Sequence, residues 1–168
     1  MIASLFCLAF PLLLIYAAWH DVSTMTIPNW VSIILAAAFL PAAFAAGLPI
    51  GQIGLHLAFG AGVLLVCAGL FYLGVFGGGD AKVIAAASLW TGLAGVSSFV
   101  MGMAIAGGLL ALSLIVARRM KLAPTTEWAK RLLSPQEGAP YAVAIAVGAF
   151  FAAPTSPVLV AGLAGIGA

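Results

Sequence analysis

The chain has 168 residues, 65% of them hydrophobic and 6% charged, with a formal net charge of +2 and a mean hydropathy of +1.26. Soluble domains carry roughly 25% charged residues, so this composition excludes a soluble globular protein and describes a membrane protein. Six Lys/Arg against four Asp/Glu, with no basic stripe interleaved with aromatics, exclude nucleic-acid binding.

The first apolar run, Ile2 to Trp19, carries no charge before Asp21. A secretory signal needs a positive stretch ahead of its apolar core, so this run is expected to stay as a first membrane span. Further runs follow at Trp30 to Ala46, Ile53 to Phe76, Val83 to Leu93, Val96 to Ala117 and Tyr141 to Ala153, separated by turn-forming or charged residues. The expected fold is all-α, a single polytopic membrane helix bundle over residues 1–168 with about six transmembrane helices. Val83 to Leu93 is short for a span, and Pro154 and Pro157 interrupt the apolar tail that runs to Ala168.

Arg118, Arg119, Lys121, Lys130 and Arg131 all fall in one polar loop, residues 118–138, which the positive-inside rule assigns to the cytoplasm. Counting spans back from it puts 77–82 and 20–29 on the same side, with the N-terminus outward. The assignment needs the fourth run to cross; a re-entrant fourth run would flip the face. Within that loop, 125–133 reads either as a short amphipathic helix with Trp128, Leu132 and Leu133 toward lipid or as a plain solvated loop. Small residues four apart, Ala58 with Gly62, Gly107 with Ala111 and Ala161 with Gly165, are expected to let helices pack closely. Cys7 and Cys67 lie in separate apolar runs, which predicts neither a CxxC metal knuckle nor a disulfide framework.

Between Met1 and Ala117 the charged residues are Asp21, Asp80 and Lys82, and the span count brings both aspartates to one membrane face. Asp80 stands in Gly77-Gly78-Gly79-Asp80-Ala81-Lys82 just before an apolar run. It can cap the helix there, although Ser or Asn would cap without placing a charge near hydrocarbon. Three glycines also let another backbone approach closely. Asp21 ends the first span and precedes Ile27-Pro28-Asn29, where Pro28 stops a continuing helix and Asn29 is expected to cap the second. Two neighbouring carboxyls share a proton, leaving one as base and one as acid, which is the chemistry of an aspartyl protease with water as nucleophile. No cofactor and no metal are expected.

Lys82 reads as a headgroup anchor or as a stabiliser of an ionised carboxylate, and His20 as an interfacial belt residue beside Trp19. His56 should find a packing or headgroup partner near the opposite face. The segment 77–82 lacks the Gly-Lys-Ser/Thr ending of a phosphate loop.

Gly77, Gly79, Asp80 and Lys82 in a Gly-x-Gly-Asp-x-Lys pattern, with an Asp six residues ahead of Ile27-Pro28-Asn29, resemble the type IV prepilin peptidases, membrane aspartyl proteases of the GxGD group that includes presenilin. The resemblance implies a catalytic pair Asp21 and Asp80. It implies Gly77, Gly78, Gly79, Lys82, Pro28 and Asn29 as substrate-contacting, together with Pro140 and Tyr141 of a Pro-aromatic-small segment. It further implies an enzyme of the bacterial inner membrane with its active site toward the cytoplasm. The partner it implies is a prepilin or pseudopilin whose short basic leader, cut after a glycine, precedes an apolar helix. Larger members add a domain with paired CxxC motifs and methylate the new N-terminus. This sequence shows no such pairs, so a peptidase without methyltransferase activity is expected, similar to the short enzymes of tight-adherence (Flp) pili. Residues 22–26 lack the basic residues often found there in that subtype. The rival readings are a small transporter or proton relay using the same carboxylates, and a non-catalytic partner in a secretion assembly.

Overall fold

The computed structural model describes residues 2–75, 77–120, 124–134 and 136–164. Phe76, Lys121 and Gly165 to Ala168, on which parts of the sequence reading fell, lie outside them.

Eight α-helices and no strand occur among the described residues: α1 (Ile2–Thr24), α2 (Asn29–Ala45), α3 (Ile50–Tyr72), α4 (Gly78–Thr91), α5 (Val96–Arg119), α6 (Glu127–Leu133), α7 (Ala142–Ala152) and α8 (Pro157–Leu163). Each of the six apolar runs forms a helix. Three of these, in α1, α3 and α5, are long and apolar enough to cross a membrane singly; α7 and α8, bent by 72° at Thr155 to Pro157, add a fourth crossing if taken as one span. The 17-residue α2 and the 14-residue α4 would rise about 26 and 21 Å, short of the ~30 Å hydrocarbon thickness. The protein is therefore an all-α polytopic bundle with fewer full-length spans than its six apolar runs imply.

The elements end where backbone chemistry dictates. After Thr24, Met25 turns into the left-handed region at φ 55° and its N–H closes on the Asp21 carbonyl at 2.7 Å; Pro28 then forbids a continuing helix. Asn29 is the first residue of α2 and makes no cap, because Pro28 occupies the cap position. Gly92, at φ 62°, closes α4.

The interior is built from small side chains. Ala81, Ala85, Ala86 and Ala87 of α4 and Ala144, Ala146, Ala149 and Ala152 of α7 are buried, whereas Ile50, Leu65, Tyr72 and Leu93 are among the most exposed residues. This inversion suits lipid, which supplies no hydrophobic drive between helices, so close van der Waals packing must hold them together. α5 packs on α7, α3 on α4, and α1 on both α2 and α7. Between α5 and α7 the approach is at glycine: a Cβ on Gly148 would lie 2.5 Å from the Phe99 carbonyl oxygen. Of the anticipated small pairs, Gly107 does pack, against the Tyr141 ring, but Gly62 has nothing within 4 Å of its would-be Cβ. The Ala58/Gly62 pair faces open space, a correction to the sequence reading.

Trp90 anchors the centre. Its ring is fully buried against Phe10 and Phe39 at 5.5 and 5.9 Å between centroids, and its Nε1 donates to the Leu35 carbonyl at 2.8 Å. That bond satisfies the one polar atom that burial would otherwise penalise.

Candidate active site

α1 and α4 bring the two aspartates to one end of the bundle. Asp21 lies one turn before the end of α1 and is 6% exposed. Its Oδ2 accepts the Ala142 backbone N–H at 3.0 Å, so the carboxyl of α1 satisfies a donor at the start of α7 that the helix itself leaves unpaired. Asp80 lies in the first turn of α4, with Gly77 in the cap position; the helix begins at Gly78, five residues before the apolar run, so Asp80 does not occupy the cap itself.

Asp80 is half-buried. Burial pushes its carboxyl up to about 6, the neighbouring Asp21 carboxylate pushes it the same way, and a backbone hydrogen bond from Gly77 opposes both. The chemical consequence is a pair in which one carboxyl can hold a proton while its neighbour is ionised.

The glycines keep this corner open to close approach. A Cβ on Gly77 would stand 2.8 Å from Asp80 Oδ2, and one on Gly79 would stand 3.1 Å from the Ile27 Cβ. Gly79 thus seats the 77–80 segment directly on the loop between α1 and α2. Lys82 completes the link: its Nζ donates to Asn29 Oδ1 at 2.8 Å. The Lys82 side chain, read as a headgroup anchor or as a stabiliser of an ionised carboxylate, thus hydrogen-bonds another residue of the candidate site, and the Asn29 amide, read as a helix cap, accepts that bond. Pro28 precedes α2 in this loop, and His20 Nδ1 steadies the loop from α1 by donating to the Thr26 carbonyl at 2.7 Å.

Pro140 is fully buried, and Tyr141 forms the cap position of α7. Of the residues read as candidates, Asp21, Asp80, Gly77, Gly79, Lys82 and Asn29 form one connected corner, and Tyr141 adjoins it through Ala142. Gly78 faces the Phe71 ring instead. The role of the Ala142 N–H was not legible beforehand, since a backbone donor leaves no mark in residue type. Arg118 was also unforeseen as a contact residue. Its Nη2 lies 3.0 Å from the carbonyls of Leu132, Glu137 and Gly138, folding the charged loop, with the helix α6, onto the end of α5 beside the site.

The remaining titratable groups lie apart. His56 is buried at the far end of α4, with Nδ1 2.6 Å from the Leu89 carbonyl and its ring stacked on Phe39, the packing role anticipated for it. Cys7 and Cys67 are separately buried thiols. Among the described residues no three of His, Cys, Asp and Glu converge as metal ligands.

A model of the type IV leader peptidase family matches residues 8–112, a stretch that contains both aspartates and the glycine segment. No curated protein and no solved structure matches the chain.

Proposed function

The chain belongs to the type IV leader peptidase family, a multi-pass membrane peptidase acting on prepilins, and from that premise we propose that Asp21 and Asp80 are its catalytic dyad. The observation that carries this reading is that α1 and α4 bring the two carboxyls to one corner, where the Asp21 charge bears on the Asp80 proton. The ionised carboxyl takes a proton from water as the water attacks the scissile carbonyl, and the protonated carboxyl donates to the carbonyl oxygen. Protons then pass to the leaving amine. The dyad titrates as a unit, so neither aspartate is assigned a fixed role.

The positive-inside rule supports a cytoplasmic site in the bacterial inner membrane, because Arg118, Arg119, Lys130 and Arg131 share the end of the bundle that holds the aspartates. The substrate in this reading is a Flp-type prepilin with a short basic leader and an apolar helix. The chain is assigned hydrolysis and not methyl transfer, since neither of its cysteines belongs to a paired CxxC motif.

Co-expression with a candidate Flp prepilin, followed by gel shift, tests the proposal. Wild type should remove the leader, and Asp21→Asn and Asp80→Asn should both leave it in place at unchanged membrane levels. Cleavage surviving in either variant would rule out the dyad.

A further inference from the structure

At the end of the bundle opposite the aspartates, a cavity of about 390 Å³ opens between the start of α3, the turn after α4 and the start of α8, with Gln52, His56, Phe59, Leu93 and Pro157 in its wall. His56 is 8% exposed. The Leu89 carbonyl can only accept, so His56 Nδ1 donates to it, and the ring's remaining nitrogen, Nε2, is left with a lone pair to offer. No group among the described residues takes it up. Gly92 holds the ring in place, since a Cβ there would lie 2.5 Å from His56 Cε1.

The cavity does not end at His56. Ala58 and Phe59 are shared with a second hollow of about 430 Å³ that continues along α3 past Gly62 and Val63 to Val66, with an almost wholly apolar lining. From Ala58 to Val66 the helix rises about 12 Å, close to the ~15 Å of hydrocarbon in one leaflet. A mostly apolar chamber that carries Gln52 and His56 near the start of α3 thus leads into an apolar hollow along the same helix, about one leaflet long.

We propose that this composite groove binds a phospholipid of the leaflet opposite the active site, its acyl chain along Ala58, Gly62 and Val66 and its headgroup at Gln52 and His56. The unused lone pair of His56 sets the headgroup chemistry. It selects a headgroup that donates a hydrogen bond, an amine or a hydroxyl, over a quaternary ammonium that cannot. The inference is independent of peptidase activity. It also gives the Ala58/Gly62 pair a use, since small residues facing open space keep the hollow clear.

The test is native mass spectrometry of the full chain, delipidated and re-supplied with phosphatidylethanolamine, phosphatidylglycerol or phosphatidylcholine of identical acyl chains. Wild type should retain the first two over phosphatidylcholine by about fivefold, the ratio expected for one hydrogen bond. His56→Leu should erase that preference. Gly62→Leu places its Cβ where no neighbouring atom of the described residues lies within 4 Å, so it should fold normally and lose retention of all three lipids. It decides the matter should His56→Leu fail to fold. Equal retention of the three lipids by wild type, or unchanged retention in Gly62→Leu, would overturn the proposal. A dimer that Gly62→Leu disrupts, with no lipid retained, would overturn it in favour of a second copy of this chain.

Discussion

Lys82 and Asn29, 53 residues apart in sequence, are joined by a 2.8 Å hydrogen bond from Nζ to Oδ1. The bond ties the start of α2 to the second turn of α4 across the loop that follows Asp21, so the position of one aspartate is coupled to that of the other. Asn29→Ala and Lys82→Met should each lower cleavage, by about tenfold or less for an exposed charge-assisted bond. Because both remove the same contact, the double variant should cleave no worse than the poorer single one. Additive losses in a double-mutant cycle would show that the two residues act separately.

Asp21→Asn and Asp80→Asn should reduce cleavage by at least about 100-fold, the scale of losing general acid-base catalysis. Asp21→Asn keeps an amide oxygen able to accept the Ala142 N–H, so the start of α7 stays satisfied and the loss reports chemistry instead of unfolding. Single-turnover assays on purified protein, alongside melting curves, separate the two.

Gly77→Ala should damage activity more than Gly79→Ala. A Cβ at position 77 meets Asp80 Oδ2 at 2.8 Å, whereas at 79 it meets the Ile27 Cβ at 3.1 Å, a contact that a small shift can relieve. The expected signature at 77 is a fall in kcat at nearly constant KM, because the displaced group is a carboxyl of the proposed dyad.

The pH dependence of stability has a definite sign. Asp80 titrates at about 6 in the folded protein against a reference of 3.8, so the folded state holds this proton more tightly than the unfolded state. Its contribution to stability is greatest below about pH 4, declines as pH rises through the window from 4 to 6, and is lost above it. At pH 7.5, Asp80→Asn should therefore melt a few degrees above wild type although it is inactive. The advantage should shrink toward pH 4; equal melting temperatures at pH 7.5 would contradict the burial argument.

Arg118 holds three backbone carbonyls of the charged loop with one nitrogen. Arg118→Ala should free the segment around 134–138 and make it the first site of limited proteolysis, with little change in the melting temperature of the bundle. Arg118→Lys should rescue this only in part, since an ammonium cannot reproduce the planar guanidinium fork.

Hydrophobic runs and breakers determined which segments are helices, because each is a local property: α2, α4, α5 and α7 begin within five residues of their apolar runs, and α6 forms where an amphipathic pattern was legible. The Gly77-Gly78-Gly79-Asp80 segment and the Asp21 to Asn29 stretch were legible as a candidate site because a charge so near hydrocarbon has to be justified by a partner or by chemistry. Tertiary structure decided what each group touches. Asp21 meets a backbone N–H that carries no side-chain signature, Lys82 bonds Asn29 across 53 residues of sequence, and Gly62 faces open space although its spacing from Ala58 reads as a helix contact. A spacing of four residues fixes that two side chains share a helix face, but which neighbour that face meets depends on how all the helices fit together, and no local pattern encodes that.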